Sequence, residues 1–284
     1  MNVFGQPNNF PPVLFHAWEF LASMGPVSLS VLQENLAPPS FEQTAHDSVR
    51  STVQLGVKMG IFRLVDGIIE NDITLDDEAG YNNFRRSVRD LYFDQDRHHA
   101  PSLGDAGNLQ LASAWYFSFP PADTPGTFPE AQQRLEEDYP DSERDWPIPN
   151  PTQWEGFVRW MRFMGLAVPV TGKGGSTIRP SIDEPLLDTI IHEVGAKDVA
   201  LGQVLTAFTT RLPCFPGGTI VQLLPESARN RSTRNNALLA AALLALAERG
   251  EIILTQAADS THREVFTGAR QPVAFDLIRR TGSR

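Results

Sequence analysis

Three times in this chain a helical pattern stops at a glycine and an apolar extended run begins at once. The stretches are "KMGIFRLVDGIIEN" from Lys58 to Asn71, "FMGLAVPVTGKGGSTIRPS" over 163–181 and "ERGEIILTQAADSTHREVF" over 248–266. A glycine after the last periodic residue is a helix stop, and two apolar runs around a short polar turn read as a β-hairpin. The chain therefore writes helix–Gly–hairpin three times. Gly60, Gly165 and Gly250 stand 105 and 85 residues apart, too uneven for a solenoid array.

The first copy is the clearest. "PPVLFHAWEFLASMG" opens with proline in a first helical turn, places Leu14, Trp18 and Leu21 or Ala22 on one stripe, and stops at Gly25–Pro26. "SLSVLQENLAPP" follows with Ser28 as its N-cap. A third helix runs from about Ala45 to Met59, with Val49, Val53 and Val57 every four residues. After Gly60, Asp66–Gly67 supplies the positive φ angles of a two-residue hairpin turn. Three helices and a hairpin in that order spell a winged helix.

The end of the chain repeats the order. "VALGQVLTAFTTRL" (199–212) reads as its first helix and "GGTIVQLLPES" as a short second element. A third helix capped by Ser232 or Thr233 stacks Leu239, Leu243 and Leu246 up to Gly250. "EIILTQA–ADS–THREVF" then reads as the hairpin. The middle copy is poorer. Phe157, Trp160, Met161 and Met164 share a helical face before a Gly-rich hairpin. Its earlier helices fall in "LDDEAGYNNFRRSVRDLYF" and "LGDAGNLQLASAWYFSF", and eight prolines crowd the stretch from Pro120 to Pro151. The expected fold class is mainly α with small β-hairpins (α+β), as tandem winged-helix units. The expected division is an N-terminal winged helix over 1–76, a helical middle region with a degenerate winged helix over 77–182, and a C-terminal winged helix over 183–284.

Composition narrows the function classes. The 284 residues carry a formal charge of −10, which argues against coating nucleic acid by bulk electrostatics but leaves room for a local basic face. The longest apolar block, "ALLAAALLALA" over 237–247, is too short for a membrane span, and the N-terminus lacks a secretory pattern. Cys214 is the one cysteine, so intrachain disulfides and multi-cysteine zinc sites are excluded and the cytoplasm is the expected compartment.

No motif spells out a reaction. "TGKGGST" (171–177) fails the phosphate-loop pattern because Gly174 follows Lys173, although Lys173 at a hairpin tip could still reach a backbone phosphate. "YFDQDRHHAP" gathers Asp94, Asp96, His98 and His99 with no second cluster to complete a metal shell. "IIHEVG" lacks the second histidine of a zincin, no G-x-S-x-G occurs, and His16 and Trp18 read as core or interface residues. The expectation is a chain without enzymatic activity, metal or cofactor.

"SARNRSTRNNALL" (227–239) carries the strongest functional signal. Arg229, Arg231 and Arg234, with Asn235 and Asn236, crowd the entry to the last unit's third helix. Recognition helices place N-terminal residues on base edges, where Arg reads guanine and Asn reads adenine. Arg229, Arg231, Arg234, Asn235, Asn236 and Lys173 are therefore the candidate DNA contacts.

The opening "VFGQPNNFPPVLFHAWEFLASMGP", the third helix "DSVRSTVQLGVKMGIF" and the overall length together resemble the DpdG family. The resemblance is one of pattern, strongest over residues 1–75, and brings no catalytic signature. It implies a non-enzymatic component of a bacterial phage-defence system that modifies DNA with 7-deazaguanine derivatives, working beside other protein subunits and in contact with DNA or those partners. The rival readings are an acidic winged-helix scaffold subunit of a chromosome-condensing type complex, which the −10 charge fits better, and a transcriptional regulator.

Overall fold

The computed structural model describes residues 9–37, 43–73, 80–94, 108–141, 145–172, 175–194, 197–234, 237–255, 264–266 and 273–281. It is mainly helical with small antiparallel sheets, which agrees with the α+β class. Among the described residues no helix is long and apolar enough to cross a membrane.

The first unit runs α1 (Pro11–Met24), β1 (Val27–Ser28), α2 (Leu29–Leu36), α3 (Gln43–Met59), β2 (Phe62–Val65) and β3 (Ile68–Asn71). Its three strands form one antiparallel sheet in the order β1-β3-β2. Leu14, Trp18 and Leu21 face the core from α1, while Ala22 is exposed. The Ser28 hydroxyl caps α2 by accepting the Val31 N–H. Asp66 and Gly67 both take positive φ, 50° and 79°, as the two-residue turn requires. At Gly56 a Cβ would stand 2.5 Å from the Phe62 ring, so glycine is what lets α3 lie against β2.

The middle region holds α4 (Tyr81–Phe93), α5 (Asn108–Phe117), α6 (Phe128–Asp138), α7 (Pro151–Phe163) and the hairpin β4 (Ala167–Gly172) with β5 (Gly175–Pro180). Leu109 to Phe117 of α5 are all buried, as expected of an apolar helix enclosed on every side. The proline-rich stretch contains α6, because Pro129 falls in its first turn, where a missing N–H costs nothing. Asn150 caps α7 by accepting the Gln153 N–H at 2.9 Å, and Phe157, Trp160, Met161 and Met164 are buried as the spacing requires. Edge-to-face and tilted rings of Phe15, Trp18, Tyr81, Phe84 and Phe163 bind α1 to α4 and α7.

The last region runs α8 (Asp183–Glu193), β6 (Val199–Ala200), α9 (Leu201–Arg211), a 3-10 turn (Thr219–Leu223), α10 (Glu226–Arg234), α11 (Ala237–Glu248), β7 (Ile252–Thr255), β8 (Glu264–Phe266), β9 (Val273–Phe275) and β10 (Leu277–Arg280). The sheet order β6-β10-β7 has the same connectivity as the first sheet: the short strand before the second helix pairs with the last strand. Three sequence expectations are corrected here. The 199–212 stretch opens with the two-residue strand β6, its helix is Leu201–Arg211, and a further helix, α8, precedes both. Ser232 and Thr233 lie inside α10, which begins at Glu226, so neither caps a helix start. Ile252–Thr255 pairs with Leu277–Arg280 and not with "THREVF"; Glu264–Phe266 pairs instead with Val273–Phe275. The "ADS" turn lies outside the described residues.

The three glycines share one geometry. Gly60, Gly165 and Gly250 have φ of 75°, 71° and 74°. In each case the following N–H donates five residues back, from Ile61 to Gly56, Leu166 to Met161 and Glu251 to Leu246. The glycine N–H itself donates three back, to Val57, Arg162 and Ala247. That pair of bonds is the Schellman helix stop, which satisfies otherwise orphaned carbonyls while turning the chain into a strand.

Candidate functional site

Where α1, α4, α7, β4, α8 and the end of α11 meet, a cleft of about 630 Å³ opens. Four guanidinium groups line it: Arg85 from α4, Arg159 and Arg162 from one face of α7, and Arg249 just beyond α11. Asp183 and Glu184, in the first turn of α8, face them. Arg85 pairs with Glu184, and Arg249 pairs with Asp183 at 3.1 Å. A second cavity of about 360 Å³ shares Arg159, Arg162 and Pro169 with the first, so the two form one groove along α7.

The arginines differ in what holds them. Arg159 stacks over the Phe10 ring at 4.3 Å and donates to the Asn9 carbonyl at 3.1 Å. Burial lowers its pKa, and the nearby Glu155 works in the opposite direction. Arg162 is exposed, and among the described residues no carboxylate pairs with it.

Beneath the cleft lies a buried ion network. Arg89, 3% exposed, pairs with Asp188, also 3% exposed, and donates to the Met164 carbonyl at 3.4 Å. Arg86 reaches the same carboxylate at 2.8 Å, and Arg211 of α9 ties Asp90 at 2.6 Å. The network joins α4 to α8 and α9 around the Gly165 turn, where a Cβ would stand 2.6 Å from Glu184 Oε2. Sequence reading missed it because the partners are about 99 residues apart. The one local signal is the R-R-x-x-R run of Arg85, Arg86 and Arg89, which a solvated helix face would carry equally well.

Three of the candidate DNA contacts fall on one described helix. Arg229, Arg231 and Arg234 lie on α10, which begins at Glu226. Residues two apart on a helix point to nearly opposite sides, so Arg229 and Arg231 cannot share a face. Arg231 turns inward. It donates to both oxygens of buried Asp138, at 2.6 and 3.2 Å, and to Ser118 Oγ at 3.1 Å, and it stacks on Phe119 at 3.8 Å. Asp138 also accepts from Trp115 Nε1 at 2.8 Å and Ser227 Oγ at 2.7 Å. Burial raises that carboxyl's pKa, but the bonds from Arg231 and Ser227, the Arg231 charge and the Trp115 bond outweigh it and hold it below the ordinary range. Arg229 is half-buried, and no described carboxylate pairs with it. Asn235, Asn236, Lys173 and the side chain of Arg234 lie outside the described residues.

The remaining candidates separate cleanly. Asp94 ends α4, whereas Asp96, His98 and His99 lie outside the described residues. No group of three or more metal-ligating side chains forms among the described residues. Cys214 is fully buried, which pushes its thiol well above the usual range. Trp18 is core, whereas His16 is a surface residue 3.3 Å from Glu19.

No curated protein and no solved structure matches the chain. A protein-family model does: the one described as DpdG-like matches residues 1–260 of the 284. With nine-tenths of its length inside that match, the chain belongs to the DpdG-like family.

Proposed function

We propose that this chain is a non-enzymatic, tandem winged-helix component of a bacterial DNA-modification and phage-defence system, and that it assembles partner proteins in the cytoplasm through its wings. Membership in the DpdG-like family supports the place in a DNA-modification system. One observation carries the assembly reading: the β2–β3 hairpin tip is apolar and uncovered. Leu64, Val65 and Ile68 are 54%, 46% and 40% exposed around the Asp66–Gly67 turn. The cation beside them, Arg63, is already paired with Glu70 at 2.8 Å. A wing that grips phosphate needs unpaired cations, whereas a wing that docks on protein needs apolar surface.

DNA contact is the second reading, and Arg229, with which no described carboxylate pairs, favours it, with Lys173, Arg234, Asn235 and Asn236 as its further candidates. Titration of a labelled duplex at two salt concentrations separates the two. Assembly predicts weak binding that Arg229→Ala with Arg234→Ala leaves unchanged. DNA contact predicts a log–log salt slope that falls by about 0.9 for each phosphate contact removed.

A further inference from the structure

The groove along α7 gathers positive charge in a chain whose formal net charge is −10. Its larger cavity sets four arginines against two carboxylates; the smaller shares Arg159 and Arg162 and adds Glu155, so the groove as a whole holds four arginines and three carboxylates. A recess with low-dielectric walls and an excess of one sign concentrates ions of the other sign. At about 630 Å³ the larger cavity suits a drug-sized molecule and is too small for a duplex. Its walls are mixed: Pro12, Tyr81 and Leu187 supply apolar surface, while Asp183 and Glu184 supply acceptors.

We propose that this groove binds a phosphorylated nucleoside, with the phosphate on Arg159 and Arg162 and the ring and sugar in the larger cavity. Paired guanidinium groups on one helix face suit a phosphate. Asp183 and Glu184 can accept from sugar hydroxyls and ring N–H groups, which a simple polyanion or an acidic peptide would not satisfy. Two sources present this chemistry, a free nucleotide and the phosphorylated end of a DNA strand. The site is independent of the wings and stands or falls apart from the assembly reading.

Calorimetric titration of the full chain tests it, with AMP, adenosine and a 5′-phosphorylated DNA trinucleotide as probes. The expected result is saturable binding of a phosphorylated probe, at least about tenfold tighter than adenosine, the loss expected for one charge-assisted contact. Arg162→Ala, an exposed position, weakens that binding by about tenfold with the melting temperature unchanged, and Arg162→Glu weakens it further. Equal binding of AMP and the trinucleotide assigns the groove to free nucleotides, and tighter binding of the trinucleotide assigns it to a strand end. Phosphorylated probes that bind no better than adenosine, or that bind Arg162→Ala as well as the wild type, overturn the proposal.

Discussion

Arg231→Ala removes a side chain that sequence reasoning assigns to DNA and that the structure pairs with buried Asp138. Asp138 accepts four hydrogen bonds, two of them from Arg231, and is 5% exposed. Truncating one partner of a buried ion pair costs about 3–5 kcal/mol, because the other charge is left without compensation. Here the Arg231 side chain is 26% exposed, so water can enter the vacated space, and Ser227 and Trp115 still donate; about 2–3 kcal/mol is the appropriate expectation. At about 2–4 °C per kcal/mol for a chain of this size, the melting temperature should fall by about 4–12 °C. The pH dependence has a definite sign. Because the folded-state pKa of Asp138 is depressed, its stabilisation is complete above the unfolded value of about 3.9 and disappears as the pH falls through the lower folded value. The gap between wild type and variant, measured by calorimetry or dichroism, should therefore narrow in acid. A variant that melts with the wild type at neutral pH, or a gap that acid leaves unchanged, refutes the reasoning. Any DNA-binding test that mutates Arg231 along with its neighbours would also measure unfolding.

Three further outcomes follow from particular contacts. Gly56→Ala drives a methyl into the Phe62 ring and should cost about 1–3 kcal/mol, read as a lower denaturation midpoint. Arg89→Ala leaves buried Asp188 with Arg86 alone and should cost about 2–3 kcal/mol, below the roughly 3–5 of a fully broken buried pair; Arg89→Met with Asp188→Leu should recover only part of that loss, because Arg86 then loses this carboxylate. The purified chain should not cleave DNA or nucleotides in the presence of magnesium or zinc; cleavage that is lost on Asp94→Ala or His98→Ala would contradict a non-enzymatic role.

What the sequence disclosed was local chemistry. The glycine stops at Gly60, Gly165 and Gly250, the Asp66–Gly67 turn and the stripes Leu14–Trp18–Leu21 and Phe157–Trp160–Met161–Met164 are all set by neighbours within a few residues, and all were legible. Pairings across long separations were not. Ile252–Thr255 joins Leu277–Arg280 past an inserted hairpin, so the nearer "THREVF" was a reasonable but wrong partner. Ser232 and Thr233 looked like caps of a helix start, yet the helix that holds them begins six residues earlier, at Glu226. The inward turn of Arg231 depends on Asp138, 93 residues away. The larger cavity along α7 is assembled from six elements, none of which carries a motif of its own.

The central claim, assembly through an apolar wing, is tested most directly by co-expressing the full chain with the products of neighbouring modification-system genes and sizing the complexes. The comparison variant is Leu64→Glu with Val65→Thr, which makes the exposed tip polar while leaving the buried Ile69 side of the hairpin intact. Burying one such side chain against a partner contributes up to about 1.5–3 kcal/mol, so losing two should weaken the complex by at least about tenfold. The account predicts that the wild type elutes with a partner and that the variant elutes alone at an unchanged melting temperature. A variant that keeps its partner as well as the wild type does, or a wild type that elutes alone from all of them, would contradict it.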